Sequence, residues 1–157
     1  MAYEVDLLLT ELLTPERIKI PLEARSKEEL LRELVNVVSG DDPEDHDEVL
    51  RAVREREAVL STGIGHGVAI PHGKSAAISE LRMAAGRMRT PVDFDALDGQ
   101  PVSLVFLLVG PESAAGPHIK ALSRISRIVR RDDVRERLIA AQDAEEFLRV
   151  LSEAEAT

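Results

Sequence analysis

A chain of 157 residues suffices for one domain with a sizeable core, and 44% hydrophobic against 31% charged residues excludes a disordered chain. A net charge of −9 opposes binding to a nucleic-acid backbone, and 3% aromatics leave no stacking platform for single strands. Without cysteine there is neither a disulfide framework nor a thiol nucleophile, and no apolar run reaches the ~20 residues of a membrane span.

The N-terminus, Met-Ala-Tyr-Glu-Val-Asp, lacks the basic and apolar parts of a signal peptide, so a cytoplasmic location is expected. Leu7 to Leu13 is apolar but short, predicting a brief helix or turn before Pro15, and a strand follows across Arg17 to Pro21. Ser26-Lys27-Glu28-Glu29 reads as a capping box. It opens a helix whose apolar positions are Leu30, Leu31, Leu34, Val35 and Val38, with Gly40 as the stop. Asp41 to Glu48 is acidic and contains a proline, as suits a solvated loop and the first turn of a second helix. His46 within it is read as an exposed bystander. That helix runs through Val49, Leu50 and Val53 to Arg54-Glu55-Arg56-Glu57.

Ser61 to Ser75 is the stretch around which the chain is organised. Gly63, Gly65 and Gly67 alternate with other residues, then Val68–Ile70 makes a short strand that Pro71 ends, and His72 is presented on a turn. Leu81 to Met88 predicts another strand, and Asp98-Gly99 a hairpin-type turn. Val102 to Val109 is almost wholly aliphatic, the pattern of a strand buried on both faces. After a loop from Pro111 to Pro117, a helix opens at His118 with Ile119, Leu122, Ile125 and Val129 on its apolar face. Lys120, Arg124, Arg127 and Arg131 fall on the other, solvated face. Asp132 or Asp133 caps a short helix through Leu138, and Asp143-Ala144-Glu145-Glu146 is a second capping box before a last helix with Phe147, Leu148 and Leu151. No repeat or linker divides the chain. Alternating helices and strands predict a single layered α/β domain over residues 1–157.

Several familiar motifs fail on the glycine stretch. A Walker loop and a dinucleotide fingerprint would each need glycine where Val68 stands. His66 and His72 lack the one-turn spacing of a helical metal pair, and no metal is expected. Ser61 and Ser75 lack the glycine-flanked elbow of a serine hydrolase. What remains is an imidazole, His72, beside a glycine-rich backbone whose amides suit an anion. His118 at a helix start would add a second favourable place for negative charge, and Arg56 could fold a guanidinium over the same pocket. Neutral imidazole is a good nucleophile near pH 7, and a migrating phosphoryl group needs fixed donors more than covalent help. Phosphoryl transfer through histidine fits this set.

Arg56-Glu57, Ser61-Thr62-Gly63-Ile64-Gly65 and Ile70-Pro71-His72-Gly73-Lys74 resemble the signature of bacterial phosphotransferase-system enzyme IIA of the fructose–mannitol type. Asp93-Phe94-Asp95-Ala96-Leu97-Asp98-Gly99, the run before Gly110 and the placement of His118 fit it too. The resemblance covers about Leu12 to Leu148 and is nearest to the stand-alone nitrogen-regulatory branch. It implies one α/β domain with a mixed central sheet flanked by helices. It also implies that His72 is phosphorylated at Nε2, receiving a group that originates in phosphoenolpyruvate from the phosphocarrier protein HPr or a paralogue. His118 and Arg56 would stabilise the phosphoryl group, and Ser61, Thr62, Gly63, Gly65, Gly67 and Gly73 would form the loop of the phosphate pocket. His66 is read as loop packing. No cofactor, nucleic acid or stable membrane insertion is expected. The group would pass to a IIB component and then a sugar, or the phosphorylation state would itself switch regulatory protein partners.

Overall fold

The computed structural model describes residues 8–39 and 43–156, and Gly40, expected to stop the first long helix, lies outside them. In chain order the elements are α1 (Leu9–Leu12), β1 (Ile18–Leu22), α2 (Lys27–Ser39), α3 (Pro43–Val59), β2 (Gly63–Gly65), β3 (Val68–Ala69), β4 (His72–Lys74), β5 (Arg82–Val92), β6 (Val102–Gly110), α4 (Ala115–Val129), α5 (Asp132–Ala140) and α6 (Ala144–Ala156). Six strands form one mixed sheet in the order β1-β5-β6-β3-β2, with β4 also on β6. The β5–β6 pair is antiparallel, whereas β1 on β5 and both β3 and β4 on β6 are parallel.

The aliphatic run of β6 sits at the centre because it can be buried on both sides. Leu104, Phe106 and Leu108 point to one face, where α4, α5 and α6 supply Ile125, Leu138, Phe147 and Leu151. Val105, Leu107 and Val109 point to the other, against Leu30, Leu34, Val49 and Val53 of α2 and α3. The period of two along β6 therefore divides the core into two layers.

Both capping boxes form. Ser26 Oγ accepts the Glu29 amide at 3.1 Å while Glu29 takes the amide of Arg25; Asp143 and Glu146 repeat the arrangement, with Glu146 reaching Gln142. Asp132 and Asp133 do not cap α5 but occupy its first turn, where their charge suits the helix dipole.

Further expectations need correction. The strand read as ending at Met88 continues through Pro91 to Val92. The helix expected from His118 starts at Ala115, after a 3-10 turn at Glu112–Ala114, so the supposed loop to Pro117 is partly helical. Its buried face is His118, Ala121, Ile125, Ile128 and Val129, and Ile119 is 66% exposed. Proline in the first turn of a helix loses no hydrogen bond, which is why Pro117 is tolerated there. His46 is partly buried on α3 with Nδ1 3.5 Å from Asp47, not the exposed residue expected.

Candidate functional site

His72 lies not on a turn but on a strand. β3 and β4 run along the same edge of β6, Val68 opposite Leu104 and His72 opposite Leu108, with Pro71 between them. The register is the same on both sides of the proline, and the Pro71 carbonyl still accepts the Leu108 amide at 3.1 Å. Pro71 thus interrupts the strand, as expected, but the chain resumes beyond it in the same register. Strand alternation then puts His72 on the same side as Val68 and Ile70, facing α4.

The Ile70 carbonyl lies 2.9 Å from His72 Nδ1. A carbonyl can only accept, so Nδ1 carries the proton and Nε2 keeps its lone pair. Burial draws the His72 pKa below the usual 6.5; the Ile70 bond opposes this, and the charge of Arg56 adds to it. At pH 7 the ring is neutral, with the Nε2 lone pair directed away from that bond.

A cavity of about 410 Å³ opens at this edge between the two helical layers, lined by Ala52 and Arg56 of α3, His72, Gly73 and Lys74 of β4, and Ala115, His118, Ile119 and Leu122 of α4. Gly73 is what lets α3 come so close. A Cβ there would stand 3.0 Å from the Val53 nitrogen and 3.1 Å from the Ala52 carbonyl carbon. His118 is 4% exposed, and its ring centroid is 5.5 Å from that of His72, with the planes at 66°. Neither of its ring nitrogens has a hydrogen-bond partner among the described residues. Burial first, then the neighbouring charges of His72 and Lys74, pushes its pKa down to about 4. An unsatisfied buried imidazole is unfavourable by ~1–3 kcal/mol, a penalty that an anion accepting its N–H would relieve. Arg56 donates from Nη1 to the Leu60 carbonyl at 2.9 Å, which holds the guanidinium at the C-terminal end of α3.

The structure therefore brings together His72, His118, Arg56 and Gly73, but not the rest of the expected pocket loop. Gly63, Gly65 and Gly67 belong to a hairpin, β2 turning through His66 into β3, and they do not line the cavity. Ser61 and Thr62 are likewise absent from its walls. Ser61 Oγ donates to the Phe94 carbonyl and accepts the Gly63 amide. The buried carboxylate of Glu57 takes both the Thr62 amide, at 2.9 Å, and its hydroxyl, at 2.6 Å. Lys27 completes that carboxylate at 2.9 Å while lying 4.7 Å from the centre of the Phe94 ring. Gly63 serves packing, since a Cβ there would meet Ala96 at 2.7 Å, while Gly65 and Gly67 take the left-handed backbone of the turn, at φ +98° and +77°. His66, held at φ 56° with its amide on Asp98, lines a separate cavity with Ser126 and Arg130.

Sequence reasoning missed two residues here. Glu57 is the clamp that shapes the loop, legible only once its burial is known. Lys74 lines the cavity beside His72, a consequence of strand alternation that reading His72 as a turn residue concealed. Among the described residues no cluster of three or more His, Cys, Asp or Glu could hold a metal, and no helix is long and apolar enough to cross a membrane.

A family model described as phosphoenolpyruvate-dependent sugar phosphotransferase system, EIIA 2, matches residues 11–154. The chain is 39% identical over 144 residues to a nitrogen regulatory protein of Bradyrhizobium diazoefficiens, covering 92% of this chain and 94% of that one. It is 37% identical over 146 residues to the fructose-specific EIIABC component of Bacillus subtilis, covering 92% of this chain and 23% of that longer protein. The crystal structure of nitrogen regulatory protein IIA-Ntr from Neisseria meningitidis superposes with a TM-score of 0.83 at 38% identity, over 91% of this chain and 98% of that one.

Proposed function

The chain belongs to the EIIA type 2 family of the phosphoenolpyruvate-dependent sugar phosphotransferase system, whose domains are phosphotransfer proteins, and from that premise we propose that Nε2 of His72 is the atom that carries the phosphoryl group. The observation behind this reading is the tautomer. With Nδ1–H committed to Ile70, only Nε2 offers a lone pair, on a strand edge shared with an unpartnered imidazole and a guanidinium.

In the reaction the Nε2–P bond of His72 forms as the P–N bond of the donor's phosphohistidine breaks, and the donor leaves as neutral imidazole. Nδ1 keeps its proton throughout, so no proton need move. Arg56 meets the charge spread over the phosphoryl oxygens, and His118 donates one N–H to them. The new dianion also raises the His118 pKa, favouring its charged form in the loaded state. The donor is the phosphocarrier protein HPr or a paralogue, and the recipient is a IIB component or a regulatory partner. The regulatory reading is favoured by whole-length similarity to proteins named nitrogen regulatory.

Incubation with phosphoenolpyruvate, enzyme I and HPr should add one acid-labile phosphoryl group by intact mass, and His72→Ala should add none. An undiminished adduct in that variant sinks the assignment. Rapid onward transfer to a purified fructose-type IIB domain would favour the transport role over the regulatory one.

A further inference from the structure

We propose that Lys74 is a third cation of the phosphoryl site, held in reserve by Glu112, and that loading of His72 draws it away from that carboxylate. This rests on the phosphohistidine reading and deepens it. His72 and Lys74 are two apart on β4, so their side chains leave the same face of the strand about 7 Å apart, and both line the same cavity. A lysine chain spans that distance easily. The Lys74 ammonium is 3.6 Å from a Glu112 carboxylate oxygen. Both side chains are open to water, 42% and 83% exposed, and such a pair is weak. A phosphoryl dianion on Nε2 carries more charge than Glu112 and sits deeper between the helices, so it outcompetes the carboxylate for the ammonium. The lysine charge already reaches both histidines, lowering the affinity of each for a proton.

The partner given up matters as much as the one gained. Glu112 opens the 3-10 turn Glu112–Ala114 that leads directly into α4 and His118. Moving Lys74 releases the Glu112 carboxylate, so the phosphorylation state is written onto the surroundings of an exposed segment at the rim of the cavity.

Phosphoramidate tests this without a protein donor, which separates phosphoryl contact from partner docking. In that reaction the Nε2–P bond forms, the P–N bond of phosphoramidate breaks, and ammonia leaves. Relative to wild type, Lys74→Gln should load about three- to ten-fold more slowly and Lys74→Arg should recover most of the rate. Glu112→Gln should load faster than wild type, and its gain should vanish in the Lys74→Gln background. Loading should also move the backbone amide resonances of residues 112–114 in wild type and leave them in place in Lys74→Gln. Rates for Lys74→Gln within two-fold of wild type, or unchanged movement of residues 112–114 in it, overturn the proposal while His72 stays assigned. If wild type and His72→Ala behave alike, the phosphohistidine reading itself has failed.

Discussion

At the scale of single residues, the cavity residues and the loop residues have opposite signatures. On the proposed reading, His118 and Arg56 offer donors to the phosphoryl group without being needed to form the bond. Each charge-assisted contact contributes ~1.5–3 kcal/mol, and ~1.4 kcal/mol is a factor of ten in rate. Arg56→Ala and His118→Ala should therefore slow loading roughly ten- to a hundred-fold, with circular dichroism unchanged. Thr62→Val should do the reverse. It strands one oxygen of the buried Glu57 carboxylate, which the Thr62 hydroxyl now meets at 2.6 Å, so about 1–2 kcal/mol of stability should go while the loading rate holds. Stopped-flow loading and urea titration on the three variants decide this. Wild-type rates for Arg56→Ala and His118→Ala would remove both from the site, and a slow Thr62→Val would restore the glycine loop to it.

Between elements, glycines set how closely layers approach, and the sites differ in how much they tolerate. A Cβ on Gly86 of β5 would lie 2.3 Å from the Lys19 carbonyl and 2.8 Å from Leu22 of β1. The Lys19 oxygen cannot swing away, because it is backbone in the parallel β1–β5 pair. Gly86→Ala should lose about 3 kcal/mol by forcing that pair apart. Gly99, by contrast, has φ +73° and open space around it. Gly99→Ala should lose only about 1 kcal/mol, the penalty for a side chain in left-handed backbone. Equal urea midpoints for the two variants would contradict the packing argument. Gly73 joins packing to chemistry, since the closeness it permits between β4 and α3 is what puts Arg56 near His72.

For the molecule as a whole, the two site histidines couple stability to pH. His118 holds its proton only below about 4 in the folded chain, against 6.5 when unfolded. Between those values the unfolded state binds the extra proton, so the contribution is complete above pH 6.5 and is lost as pH falls towards 4. His72, whose pKa is lowered by burial, acts in the same direction. From pH 7 to pH 5 the His118 contribution should fall by about 2 kcal/mol. His118→Phe should flatten that slope while leaving the acid loss from carboxylates below pH 4 in place. A slope as steep in His118→Phe as in wild type would show that this histidine is not held neutral in the folded protein.

Much of this was legible in the residues themselves. Capping boxes at Ser26 and Asp143, the doubly buried run of β6 and the alternation of helix with strand depend on local spacing, which a sequence carries directly. So does the resemblance that singled out His72, His118 and Arg56, since those residues sit in motifs of fixed order. What the sequence did not carry was direction. Reading Pro71 as an end hid that β3 and β4 share one register along β6, because that register is held by the partner strand and not by the segment. The same pairing turns His72 and Lys74 towards α4. It leaves the glycines of the hairpin outside the cavity, with Ala96 against Gly63 and Asp98 against Gly65 from a distant loop. The buried face of α4 likewise follows from where the sheet lies, which buries His118 in the cavity wall and leaves Ile119 largely exposed at its rim. Local spacing determined the elements and the candidate chemistry. Long-range strand pairing decided which side chains share the site, because it alone sets which face of each element meets another.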